Sequence, residues 1–263
     1  MSQPFQGPDP EKIAGFTSAG VHDYNLGGHD YTESDKAMGD WMTEYLPWVP
    51  QGMRIGRWSL QYFVQQFAEA GITHYIDLAT GYPSDTYPHT HLPPESKIIY
   101  NDIDPRVVDK ARKMLGDQPN MRYVQSNMRD IRNILTVAEE LFGDERRVGI
   151  SMVGVIFFLN DDEVREVFDI LYDWCAPGSM LATSTFTADP NDQGWQITKS
   201  LYDAAGFTVH TRSPDEVLQL VGRWQLSPDG FPRAEVLAER ALGASVALLN
   251  EGGQFGYSGL LIR

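Results

Sequence analysis

Apolar residues recur at three- and four-residue steps through residues 13–70, in Trp41, Met42, Tyr45 and Leu46 and again in Trp58, Tyr62, Phe63 and Phe67. That period predicts amphipathic helices. Pro47 and Pro50 divide the first group from the second, and Gly71 is placed to end the second. Beyond it the pattern changes to short apolar runs at 75–79, 98–102 and 122–125, which predict strands, with helices predicted over Pro105–Leu115 and Ile131–Phe142. Asp104 is suited to cap the first of these helices, and Pro105 suits its first turn. The nearly unbroken apolar run 148–158 predicts a strand buried on both faces, the middle of a parallel sheet. A helix over 162–174, a turn at Ala176-Pro177-Gly178, a strand over 180–184 and a helix over Gln193–Ala204 repeat the unit.

Two segments compete for the sixth strand, 207–210 and 222–226, and with 213–221 reading as a capped helix the later one is preferred. A helix over 233–250, running through Gly243, and a closing strand over 256–262 complete the chain. Alternating strands and helices with right-handed crossovers predict an α/β fold, a doubly wound, mostly parallel, seven-stranded Rossmann-like sheet. Residues 1–70 form an expected helical lid or cap, and 71–263 the core with a C-terminal helical insertion at about 233–250. Residues 1–12 are polar with three prolines and are expected to be disordered.

Chemistry concentrates where the first strand ends. THYIDLATGYP, residues 73–83, runs an apolar strand into a small-residue turn, and Asp102 closes the next strand 21 residues beyond Gly81. A strand, a glycine turn and an acid at the tip of the neighbouring strand is how a Rossmann-like sheet grips an adenosine, the acid accepting from the ribose hydroxyls. The turn lacks G-x-G-x-x-G: Ala79 takes an earlier glycine position, and Pro83, Pro88, Pro93 and Pro94 forbid an immediate long helix to receive phosphates. S-adenosylmethionine carries an adenosine without phosphates and fits that turn.

Net charge of −15 opposes nucleic acid and anionic membrane as partners, and no basic cluster offsets it. A lone Cys175 offers neither an internal disulfide nor a thiolate metal site, and the histidines show no metal-ligand spacing, so no metal is expected. The opening residues lack the apolar core of a signal peptide, and no apolar run approaches the roughly 18 residues of a bilayer span. A soluble cytoplasmic protein is expected. Residues 21–30, VHDYNLGGHD, put Tyr24, Asn25, Gly27, Gly28 and His29 in a polar, glycine-containing turn among helices, which suits ligand contact or a moving lid. Phe157 and Phe158 end the predicted fourth strand, where such sheets open their crevice.

These segments together resemble a family of class I S-adenosylmethionine-dependent methyltransferases, common in actinobacteria and long filed as a domain of unknown function. The likeness rests on VHDYNLGGHD followed by Asp35, AEAGITHYIDLATGYP (68–83), YNDIDP (100–105), SNMRD (126–130) and the turn into the fifth strand within 171–181, and covers roughly residues 13–231. Gly20, Ala79, Asn127 and Phe157 depart from residues usual in that family, and 233–250 replaces its proline-rich tail. The resemblance implies that Asp102 holds the ribose, Ile103 packs on the adenine, and Asn127 and Met128 read its edge. It further implies that Asp77 orients the methionine amine and Arg57 meets its carboxylate, with Ala79, Gly81, Asn25, Gly28 and Phe158 as further cofactor contacts. Tyr24, His29 and Phe157 are the expected catalytic positions, with Tyr24, His29 or an acid near Asp162 available as a base.

The expected activity is methyl transfer to a small-molecule acceptor, apolar or cationic, in specialised metabolism. Two alternatives stay open. One is a lyase or cyclase that releases methylthioadenosine from the same cofactor and forms a small cyclic amino acid; the other is a noncatalytic nucleoside-binding protein.

Overall fold

The computed structural model describes residues 7–84, 87–116, 118–246 and 255–263. Helices α1 (Ser18–Asn25), α2 (Glu33–Tyr45) and α3 (Trp48–Glu69) precede the sheet. Strands β1 (His74–Leu78), β2 (Lys97–Asp102), β3 (Met121–Gln125), β4 (Gly149–Met152) and β5 (Met180–Thr187) then alternate with α4 (Pro105–Leu115), α5 (Ile131–Phe142) and α6 (Asp161–Trp174). Helices α7 (Gln193–Ala204) and α8 (Pro214–Leu218), strand β6 (Gln225–Leu226), helix α9 (Ala234–Leu242) and strand β7 (Phe255–Ile262) follow. The strand order is β3-β2-β1-β4-β5-β7-β6, and only β7 runs antiparallel to its neighbours. This is the expected doubly wound, mostly parallel, seven-stranded sheet. The order reverses between β1 and β4, so the crevice outside the carboxyl ends of the strands opens there.

The two faces of β1 show how the core divides. Ile76 and Leu78 point toward α5 and α6 and join Ile134, Leu135, Val164 and Phe168, while Tyr75 points the other way onto Phe63, Val64 and Phe67 of α3. Helix α3 is thus packed on the sheet. Gly149 of β4 lies so close beneath it that a Cβ there would come within 2.7 Å of the Phe67 ring. Helices α1 and α2 build a separate cluster, in which Ile13, Phe16, Val21, Met38, Trp41 and Met42 pack with Trp195, Tyr202 and Val209. No described helix is long and apolar enough to cross a membrane.

Several boundaries differ from expectation, each for a physical reason. The fourth strand stops at Met152, not at residue 158: Gly154 turns the backbone at φ 78°, and Ile156–Phe158 form a short 3₁₀ turn. The apolar run continues because Ile156 and Leu159 are core residues, so burial and not pairing set its length. Helix α9 ends at Gly243, which adopts the left-handed conformation (φ 65°) and donates its amide to Glu239 O, so 243–246 are not helical; residues 247–250 of the predicted helix lie outside the described residues. Residues 207–210 are not a strand, whereas the preferred 222–226 contains β6. Of the stretch expected to be disordered, 1–6 lie outside the described residues, and Lys12 and Ile13 donate to Asp9 O in a turn.

Phe67 is fully buried between α3 and the sheet. Phe67→Ala should lower unfolding stability by about 3–5 kcal/mol through lost burial and the cavity left behind, measured by equilibrium denaturation.

Candidate functional site

Strand β1 ends in a turn with unusual backbone. Ala79 is the one non-glycine residue with positive φ among the described residues (54°), a conformation that costs an L-residue on the order of 1 kcal/mol, and Gly81 follows at 70°. The turn is held by Thr80 N donating to Asn101 O at 2.9 Å and by Gly81 N donating to Asp102 Oδ2 at 2.9 Å. Asp104 N donates to the other oxygen, Asp102 Oδ1, also at 2.9 Å. Asp102 is only 5% exposed, and burial pushes its carboxyl up to about 6 against the opposing pull of these amides. Each carboxylate oxygen retains a lone pair for another donor. The next side chain, Ile103, is 53% exposed, a large apolar surface on the lip of the crevice.

Behind the turn, Asp77 is buried in a hydroxyl network. Ser151 Oγ and Thr80 Oγ1 donate to its two oxygens, Tyr75 Oη is 2.6 Å from Ser151 Oγ, and Thr80 Oγ1 lies 3.0 Å from Tyr87 Oη. Burial raises the Asp77 carboxyl; the hydroxyls and the charge of Arg57 pull it back. Arg57 comes from α3, its Nη2 standing 3.8 Å from where a Cβ on Gly81 would be, and it makes no salt bridge among the described residues. The same charge reaches His22 of α1, whose imidazole is lowered to about 3, first by burial and then by Arg57. Sequence reasoning passed over His22, because one histidine in a short helix carries no spacing signal.

On the other side of Asp102, Asn127 Oδ1 accepts from Arg129 N at 3.0 Å, an Asx turn that leaves its amide group free to donate. The Met128 side chain is core, packed with Ile131 and its neighbours.

The N-terminal turn is explained from within. A Cβ on Gly28 would fall 2.0 Å from Asp23 Oδ1, and one on Gly20 2.1 Å from Asp35 Oδ2. Both glycines make room for buried carboxylates that order the cap: Asp23 accepts from Asp30 N, and Asp35 from Thr17 N and from Thr32 in a capping box. Tyr24 Oη donates to Asp40 and accepts from Lys36 Nζ at 3.3 Å. The hydrogen bond to Asp40 raises its phenol, which opposes the expectation that Tyr24 takes a proton. His29 is exposed, and Asp162, 97% exposed at its side chain, pairs outward with Arg165. Phe157 and Phe158 are half-buried beneath the cap, Phe157 edge-on to Phe186 at 5.2 Å and Phe158 stacked on Tyr202 at 6.4 Å. Between α1, α2 and the start of α3 lies a cleft of ≈ 370 Å³ lined by Tyr24, Asn25, Thr43, Pro47, Pro50, Gln51 and Arg54. No cluster of three or more potential metal ligands occurs among the described residues.

The structure therefore gathers Asp77, Ala79, Gly81, Asp102, Ile103 and Arg57 at the strand ends, with Asn127 beside them. Tyr24 and Asn25 line the neighbouring cleft, and His29 does not.

Comparison with known proteins places the chain. Residues 11–235 match the profile of the S-adenosyl methyltransferase family, and the chain belongs to that family. A candidate methyltransferase from Thermobifida fusca YX, solved by crystallography, superposes with a TM-score of 0.82 at 26% identity over 97% of this chain and 98% of that one. A duf574 family protein from Streptomyces avermitilis MA-4680 gives 0.78 at 26% identity over 94% and 97%. Malonyl-[acyl-carrier protein] O-methyltransferase 1 of Ilyobacter polytropus is 31% identical over 93 residues, only 35% of this chain and 30% of that protein. The family's cofactor is S-adenosylmethionine, and the site fits it: an open glycine turn, a buried carboxylate with lone pairs to spare, and an apolar side chain on the lip.

Protonation of Asp102 affects folding and binding in opposite senses. Its carboxyl is raised from 3.8 to about 6, so it favours the folded state below 3.8 and that contribution is lost as pH rises through 6. The expected ribose contact would instead engage the ionised form, so the affinity for S-adenosylhomocysteine should fall about tenfold between pH 7.5 and pH 5. Calorimetric titration across that range checks this, with Asp102→Asn binding more weakly and without the pH step.

Proposed function

We propose that the protein transfers a methyl group from S-adenosylmethionine to a small-molecule acceptor in specialised metabolism, with α1 and α2 acting as a lid over the crevice. The observation that carries this reading is one apolar cluster shared by α1, α2 and the 3₁₀ turn after β4, in which Phe157 and Phe158 pack against a core that includes Trp41, Met42, Trp195 and Tyr202. A roof so placed favours an acceptor of limited size, and the net charge of −15 disfavours a polyanion.

In this reading the residues divide by charge and shape. Asp102 accepts from the ribose hydroxyls, Ile103 covers one face of the adenine, and Asn127 with the Met128 backbone meets its edge. Gly81 lets the backbone approach without a side chain between. Asp77 balances the amine end and Arg57 takes the carboxylate by a forked, charge-assisted contact. The bound cofactor supplies an electrophilic methyl group on a sulfonium, whose charge is lost on transfer. The protein's part is then alignment in a dry pocket, which the Phe157, Phe158 and Phe186 wall serves by excluding water. Neither His22, whose imidazole burial and Arg57 lower to about 3, nor Tyr24, whose phenol is raised by its hydrogen bond to Asp40, is tuned to take a proton near neutral pH, so alignment and not base catalysis is the protein's part.

Incubated with S-adenosylmethionine alone, the protein should leave the cofactor intact by mass spectrometry; with a pool of small acceptors it should yield S-adenosylhomocysteine and a product one methyl group heavier. Rapid release of methylthioadenosine would instead assign lyase or cyclase chemistry. Arg57→Ala should weaken S-adenosylhomocysteine binding by about 10- to 100-fold, the worth of one charge-assisted hydrogen bond. Binding of methylthioadenosine, which lacks the carboxylate, should be unchanged in the same titration.

A further inference from the structure

Asn25 is 4% exposed, and its amide nitrogen has no hydrogen-bond partner among the described residues. Leaving such a donor buried and unpaired is costly, so its retention calls for an account. The side chain lines the ≈ 370 Å³ cleft between α1, α2 and the start of α3. It is pinned there because α2 carries Gly39 where α1 crosses: a Cβ at that position would fall 2.4 Å from Tyr24 Cδ1 and 3.5 Å from Asn25 Oδ1.

Arg54 also lines the cleft and makes no salt bridge among the described residues. On α3 it stands one turn before Arg57, and on α1 Asn25 stands one turn after His22. His22 feels the charge of Arg57, while Asn25 and Arg54 share the cleft, so the two helix faces are matched turn by turn. The cleft thus lies one turn along α1 and α3 from His22 and Arg57, the latter standing 3.8 Å from where a Cβ on Gly81 would be. Pro47 and Pro50 give it rigid apolar walls. Asp40, the acid bonded to Tyr24 of the cleft wall, is already engaged by Lys36 at 2.6 Å.

We propose that this cleft is the acceptor subsite and that it anchors the acceptor by a carboxylate, through the Asn25 amide and the Arg54 guanidinium. The proposal rests on the methyltransferase reading and deepens it. An unpaired N–H₂ donor beside an unpaired cation suits an anionic oxygen pair and repels an ammonium group. The acceptor class is thus a small organic acid with an apolar body, which replaces the apolar or cationic acceptor that net charge alone suggests.

Benzoate, benzamide and benzylammonium share one ring and differ in charge, which makes them suitable probes. With the protein saturated in S-adenosylhomocysteine, each is titrated while the Asn25 side-chain amide is followed by NMR, that signal being identified by its loss in Asn25→Ala. Benzoate should shift it in the millimolar range, and benzamide should bind about tenfold more weakly. Benzylammonium should leave it in place, and Arg54→Gln should weaken benzoate by about tenfold or more. A shift of equal size with benzylammonium, an unchanged benzoate titration in Arg54→Gln, or no response to benzoate would each overturn the proposal. Should Asn25→Ala fail to fold, Asn25→Asp, which keeps the shape and removes the donor, should abolish benzoate binding. Failure to bind S-adenosylhomocysteine contradicts the methyltransferase reading itself; binding it without a benzoate response contradicts only the acceptor subsite.

Discussion

The hydrogen bond from Gly81 N to Asp102 Oδ2, 2.9 Å long, ties the turn after β1 to the tip of β2, and the site is arranged around it. It closes only because Ala79 and Gly81 accept positive φ, at 54° and 70°, so that the chain doubles back across its neighbour. Parallel pairing of Leu78 with Asn101 brings the two strand ends level. The buried Asn101 amide then donates to Val124 O and Ser126 O, which levels β3 with them and presents Asn127 at the same edge. A cofactor crevice is what remains when three strand ends are held level and the turn between them carries little side chain.

The cap depends on a different constraint. Buried carboxylates in short helices are tolerable only when backbone and side-chain donors surround them. Asp35 and Asp23 satisfy this by lying directly over glycines, and Arg106 of α4 binds the cap to the core by donating to Thr17 Oγ1 at 2.6 Å. Packing of α1 against α2 through Gly39 then leaves the Asn25 amide nitrogen, on the wall of the cleft, with no partner among the described residues. Order in the cap and a vacancy in its hydrogen bonding have the same origin.

Much of this was legible in the residues. Pro105–Leu115 starts at the Asp104 cap and Ile131–Phe142 stops at Gly143, and both carry a clean period, so their limits agree with the structure. The strand-turn-acid spacing located Asp102 at the β2 tip beside the turn, where its carboxylate accepts from Gly81 N. The run 148–158 misled because a fully buried 3₁₀ turn is as apolar as a fully buried strand, and only Gly154 marked the change. The glycines at 20 and 39 could not be interpreted from sequence, since what each accommodates, Asp35 and Tyr24, lies on another helix, while Gly28 makes room for the nearby Asp23. His22 and Arg54 escaped notice for the same reason: their significance lies in what stands opposite.

The most direct test of the account is a crystal structure of the protein with S-adenosylhomocysteine. The account predicts the ribose on Asp102, the adenine against Ile103 and the amino-acid carboxylate at Arg57, in the crevice at the ends of β1 and β2. A nucleoside seated away from that crevice, or a carboxylate turned away from Arg57, would contradict it.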